Sequence, residues 1–265
     1  MIWLPCRPRM ARSNNSFKPS PLRGLVFAVS CTATLGRYAG RLNSGVRPQG
    51  EYQRLMNKPR CTRLLLLASI LYVIGFYFIG SAIKPGYSQI SNFVSEYNAT
   101  GTAWAALLTY AGFAATAAIL SAFLATAIPL LRTSGVSRVG AWLLWSLPAS
   151  YLLAVVAPCD SGCPLDGSVS QIAHNLLAVI TYFGMGLSIA LISFDTRFNG
   201  FEFSRAFLRL AGIAFPVVFF LMVQPGLDQW GGLLQRLLDI AMAVSLILIV
   251  RTLIPMSRSV RRAVA

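Results

Sequence analysis

The residues able to do chemistry in this chain are few, and they fall in three short polar stretches. The first holds Cys159, Asp160 and Cys163 between two prolines, followed by Gln171 and the only histidine, His174. Three residues separate the cysteines, one more than in the redox C-x-x-C pattern, so a structural disulfide on an oxidising face is the expected chemistry. A soft metal site of Cys159, Asp160, Cys163 and His174 is the alternative. Its spacing matches no standard zinc pattern, so no metal and no cofactor is expected. The second stretch carries Ser91, Ser95 and Glu96, and the third places Arg236 and Asp239 three residues apart in an apolar run. His174 could serve as a general base with Glu96 or Asp160 as its orienter, which makes these three the catalytic candidates. Ser91, Ser95, Glu96, Asp160, His174, Arg236 and Asp239 are the ligand-binding candidates.

The elements that must position these residues follow from hydropathy. Apolar residues make up 55% of the chain and charged residues only 12%, which assigns it to the membrane class. Six runs are long and apolar enough to span a bilayer, at about 64–83, 103–131, 140–157, 172–194, 207–223 and 232–251. The expected fold is therefore an all-α bundle of six transmembrane helices. In the second run Gly112, Ala115, Ala118 and Ala122 recur at the small-residue spacing that lets helices approach closely. Between the first two runs, Ile90, Phe93, Val94 and Tyr97 recur at helical spacing behind Ser88, a natural N-cap. This predicts a short interfacial helix. If Gly232 marks the edge of the sixth span, Asp239 lies about 10 Å inside it, and Arg236 is its nearest obvious partner.

Charge sets the orientation. Of the Lys and Arg residues from position 56 onward, twelve fall at one end of the six runs and only Lys84 and Arg236 at the other. By the positive-inside rule both termini are cytoplasmic, and all three polar stretches face outward. The net charge of +15 is thus a matter of topology, and no nucleic-acid partner is expected. Residues 1–55 differ in kind: nine Lys/Arg face a single Glu51, and the one apolar run, from Leu25 to Leu35, is too short to span. They read as a disordered basic tail ahead of a membrane domain at 56–265.

Two resemblances add to this. Ser13-Asn14-Asn15-Ser16-Phe17-Lys18-Pro19-Ser20-Pro21-Leu22-Arg23-Gly24 and Arg41-Leu42-Asn43-Ser44-Gly45-Val46-Arg47-Pro48 resemble a translated attC recombination site of bacterial integron gene cassettes. That resemblance implies an upstream start codon, with the working protein beginning at Met56. The second rests on Tyr87-Ser88, Ile90-Ser91 and Ser95-Glu96-Tyr97, on Pro158-Cys159-Asp160 with the downstream His174, and on Gly232-Leu233-Leu234-Gln235-Arg236. Together these resemble the bacterial and archaeal family called domain of unknown function 998, over about residues 60–255. It implies a multi-span membrane protein without an established activity.

The reading that follows is a multi-pass protein of a bacterial inner membrane with an outward polar pocket for a lipid head group or small ligand. Membrane lipids are its expected partners, and the sequence sets no oligomeric state. A membrane-embedded lipid hydrolase or transferase using His174 and a carboxylate is the alternative, and a small-molecule transporter the third. Whether the chain catalyses a reaction stays open at this point.

Overall fold

In hydrocarbon every backbone N–H and C=O must find a partner inside the protein, so a long apolar run closes on itself as a helix. The computed structural model describes residues 49–254, and all regular structure among them is helical. Six helices are long and apolar enough to cross a membrane. They are α1 (Gln49–Ile83, with its candidate span at Asn57–Ile83), α2 (Ala105–Leu131), α3 (Gly135–Val156), α4 (Val169–Ile192), α5 (Glu202–Met222) and α6 (Gly231–Leu253). The start of α1 falls within the segment expected to be a tail. Residues 1–48, and with them the recombination-site resemblance, lie outside the described residues.

Helices adjacent in sequence pack side by side, and α6 returns against α1 and α2 to close the bundle. Two helices are irregular. The second contains a π-helical stretch at Leu108–Ala114, and the third is interrupted at Leu144–Trp145. Large apolar side chains cover the outside: Leu64 and Leu210 are 66% and 68% exposed, a liability in water and ordinary against lipid. Several hydroxyls within the spans bond back along their own helix, as Ser69 Oγ does to the Leu65 carbonyl and Ser245 Oγ to that of Ala241, both at 2.7 Å.

The end of the bundle that carries most of the basic residues is closely packed. Helices α4 and α5 cross at Gly186 and Gly212, where a Cβ on Gly186 would stand 2.7 Å from the Gly212 carbonyl oxygen. Only hydrogen fits there. Beside this crossing Ser188 Oγ donates to the Gly140 carbonyl of α3 at 2.7 Å. The orphan carbonyls at the end of α6 are capped by arginines, Arg63 donating to Ile254 at 2.8 Å and Arg197 to Leu253 at 3.4 Å. Asp195 pairs with Arg197 at 2.7 Å, and the guanidinium holds its carboxyl below the ordinary value.

The segment before α2 departs from the sequence expectation. Residues 88–92 form turns, and the only helix is the 3₁₀ stretch Val94–Asn98, with Val94, Tyr97 and Asn98 buried. The reason lies in α6, whose first free N–H groups claim the carbonyls a longer local helix would need. Gly232 donates to Ser91 at 3.3 Å and Leu233 to Ile90 at 2.8 Å. Such an approach requires Gly232, since a Cβ there would lie 2.3 Å from the Asn92 carbonyl oxygen. Ser88 still receives N–H bonds from Ile90 and Ser91, at 3.3 and 3.4 Å, so its capping role survives around a turn instead of a helix.

Candidate functional site

At the opposite end, which carries Cys159 and Cys163, the bundle encloses a cavity of about 540 Å³. Its wall is largely apolar, with Phe93, Phe113, Leu147, Leu177, Met185 and Phe219 among the lining side chains. The cavity is partly open to the surface, and α4 and α5 both contribute to its wall. Val179 of α4 and Phe220 of α5 line it and are 37% and 53% exposed.

Polar groups concentrate at two levels. Deep in the cavity, Tyr77 of α1 donates its hydroxyl to Asp239 Oδ2 at 2.7 Å, and the Tyr77 and Tyr151 hydroxyls are 2.9 Å apart. With its one proton on Asp239, Tyr77 can only accept from Tyr151, so the two tyrosines form a relay directed at the carboxylate. Gln235 clamps the same level, donating to the Tyr182 hydroxyl at 3.0 Å and accepting the Val94 N–H at 2.7 Å. Each tyrosine hydroxyl thereby gains the partner that a polar atom buried within a span requires.

The mouth is shaped by the loop between α3 and α4. Cys159 and Cys163 are joined by a disulfide, with their Cα atoms 5.1 Å apart. Asp160 accepts from the Ser168 N–H and Oγ at 2.8 and 2.9 Å, and Gln171 Oε1 accepts the Asp160 N–H at 2.7 Å. Asn175 ties the loop down from α4 by donating to the Pro164 and Leu165 carbonyls. His174 Nδ1 stands 2.8 Å from the Ala157 carbonyl, which can only accept. Nδ1 therefore carries the proton and Nε2 the lone pair. Ser95 Oγ touches Cys163 Sγ at 3.3 Å.

These contacts sort the candidates. Ser95, His174 and Asp239 line the cavity together. Glu96 does not join them: it accepts from the Asn92 amide at 2.9 Å and the Phe93 N–H at 2.8 Å, and it lines a separate shallow cleft with Lys84 and Ser161. Burial holds the Lys84 ammonium there below its ordinary value, and Lys84 donates to the Tyr97 carbonyl at 3.0 Å. Asp160 serves the start of α4, and the Ser91 carbonyl serves that of α6. The carboxylate expected to orient His174 is replaced by the Ala157 carbonyl. Ligand atoms of Cys159, Cys163 and His174 do lie within 4.8 Å of one another. With the sulfurs bonded to each other and Asp160 engaged by Ser168, that trio offers no thiolate.

The expected pair of Arg236 and Asp239 also separates. Arg236 donates to the Tyr87 hydroxyl at 2.7 Å, to the Asn92 and Gly232 carbonyls at 3.2 and 2.9 Å, and to the Tyr97 hydroxyl at 3.4 Å. Its guanidinium lies 5.7 Å from the centroids of both Tyr77 and Tyr87. Burial holds the Tyr87 phenol above its ordinary value. Arg236 is a clamp on the 87–97 segment, and among the described residues the ion pairs are Arg197–Asp195 and Arg205–Glu202. What sequence reasoning missed are Tyr77, Tyr151, Tyr182 and Gln235; the signal was a set of polar tips deep inside spans, each in need of a partner.

A family model described as a protein of unknown function (DUF998) matches residues 66–252. The chain belongs to that family. The match takes in the cavity and all the motifs that carried the resemblance, so the site described here lies within the DUF998 region. No curated protein and no solved structure matches the chain.

Proposed function

We propose that this DUF998 protein sits in a bacterial inner membrane with both termini in the cytoplasm and binds an amphiphilic ligand in an outward-facing cavity. The observation that carries the reading is the cavity, apolar along its wall, polar at its floor and mouth, and partly open to the surface. Such a site suits a molecule with a greasy body and a polar end, a lipid or a small amphiphile. The twelve-to-two distribution of basic residues supports the orientation. Binding is preferred over hydrolysis because Glu96 and Asp160, the carboxylates a His174-based hydrolase would use, are both committed to capping bonds.

Leu177→Trp, which fills the cavity from α4, tests this. Wild-type protein purified in mild detergent should release a defined amphiphile on extraction, read by mass spectrometry. The variant should fold and lose it. Equal retention by the two proteins, or nothing bound beyond bulk lipid in either, would sink the reading.

A further inference from the structure

The cavity has a charge preference that runs against the rest of the chain. The sequence has 23 Lys and Arg against eight Asp and Glu. Yet the residues lining the cavity include Asp239 and Asp228 and no Lys or Arg. A cavity of this sign in a strongly basic protein repels organic anions and concentrates cations.

Asp239 is the sharper half of the observation. It lies well inside the span, where a lone carboxylate is costly; Arg236 acts on it through space without a hydrogen bond, and its one described hydrogen bond is from Tyr77 to Oδ2. Oδ1 has no protein partner among the described residues. Asp239 is only partly buried by surface area although it is deep in the bundle, and it lines the cavity, so its open surface faces that space. The one guanidinium near it, that of Arg236, is held by four oxygen atoms of the 87–97 segment and of Gly232. Around the same space stand aromatic rings, those of Tyr77, Phe113, Tyr151, Tyr182 and Phe219. Ring faces carry partial negative charge and attract a cation that has shed its water.

We propose that the cavity selects an organic cation, an amine or quaternary ammonium carrying an apolar group, with its charged end at Asp239 and its apolar part along the wall toward α4 and α5. The proposal rests on the ligand-binding reading above and names the class of ligand. A carboxylate oxygen without a protein partner, in a cavity lined by aromatic rings, meets both halves of such a molecule: the formal charge pairs with Oδ1, and the alkyl groups around nitrogen pack on the rings. A phosphate or carboxylate head group meets neither.

The test uses the full chain in an uncharged maltoside detergent. Its probes are benzyltrimethylammonium and neopentylbenzene, the isostere in which carbon replaces the charged nitrogen. Binding is read by equilibrium dialysis and corrected for empty micelles. The cation should bind wild type about tenfold more tightly than the isostere, and Asp239→Asn should abolish that preference while leaving isostere binding intact. Equal binding of both probes by wild type overturns the cation proposal and leaves the apolar cavity standing. Binding of neither overturns both readings. A preference that survives in Asp239→Asn assigns the selectivity elsewhere and overturns the role of Asp239. Should that variant not accumulate, Phe219→Leu replaces it: cation affinity should fall about threefold with the isostere unchanged, and a parallel change, or none, in the two probes counts against the proposal.

Discussion

The two ends of the bundle solve opposite problems. At the basic end, backbones touch where Gly186 and Gly212 meet, and arginines cap the last carbonyls of α6. At the disulfide end the same helices hold an open volume, and beside the close approach at Gly232 the chain between them is tied down by side chains: Gln235 on Val94, Arg236 on Asn92, Asn175 on Leu165. The contrast teaches that a rigid half is what permits an open half. Close contact fixes the helix directions at one end, so the other can forgo contacts and keep a cavity.

The sharpest way to break this contrast is at the α4–α5 crossing. Gly212→Ala places a methyl 2.7 Å from the Ala190 Cβ and 2.8 Å from the Gly186 carbonyl oxygen. It should cost about 1–3 kcal/mol, read as a lower denaturation midpoint in detergent. Gly75→Ala, where nothing lies within 4 Å, is the control and should be neutral or mildly stabilising. Equal losses at the two positions would mean that close packing at the basic end does not govern the fold.

A smaller effect is expected at the open end. Replacing Cys159 and Cys163 together by serine releases the loop and should lower stability by about 2 kcal/mol, the value for so short a ring. An impermeant reductant added to intact spheroplasts should expose both thiols to alkylation, because this end faces outward on the proposed orientation. Labelling only after lysis would reverse the two ends.

The smallest effect is at Asp195, whose pairing with Arg197 is partly exposed and screened. The carboxyl sits below its ordinary value in the folded protein, so the pairing stabilises above the unfolded value and is lost as pH falls through the lower folded one. Asp195→Asn should therefore cost at most about 1 kcal/mol at neutral pH, and the difference from wild type should vanish only in strong acid. A difference that grows on acidification would refute the sign.

Much of the fold was legible in the sequence because a span is a one-dimensional signal. Length and hydropathy marked six helices, and in the structure their ends shift against the apolar runs, α6 continuing to Leu253 and α4 running from Val169 to Ile192. The site was less legible because its contacts are long-range. Arg236 and Asp239 look paired at helical spacing, yet the true partners, Tyr87 and Tyr97 for one and Tyr77 for the other, come from the opposite end of the chain. Periodicity at Ile90, Phe93, Val94 and Tyr97 argued for a helix that α6 dissolves by taking two of its carbonyls. The loop residues fared better. Asp160, Gln171 and His174 bond to groups between Ala157 and Ser168, close in sequence, so the sequence could place them together.

The π-helical stretch of α2 has a consequence for how this chain can change length. A π turn holds one residue more than the α turn it replaces, and here the carbonyl it frees, that of Ala111, is taken by the Tyr72 hydroxyl. In a regular helix the loss of one residue rotates everything beyond it by about 100° and sends each side chain to the wrong neighbour. Between Leu108 and Ala114 the surplus absorbs that loss: the helix tightens to α, Ala115–Leu131 keeps its face toward α1, and Tyr72 gives up one bond. Among the described spans this is the position where an in-frame deletion of one codon leaves the bundle in register.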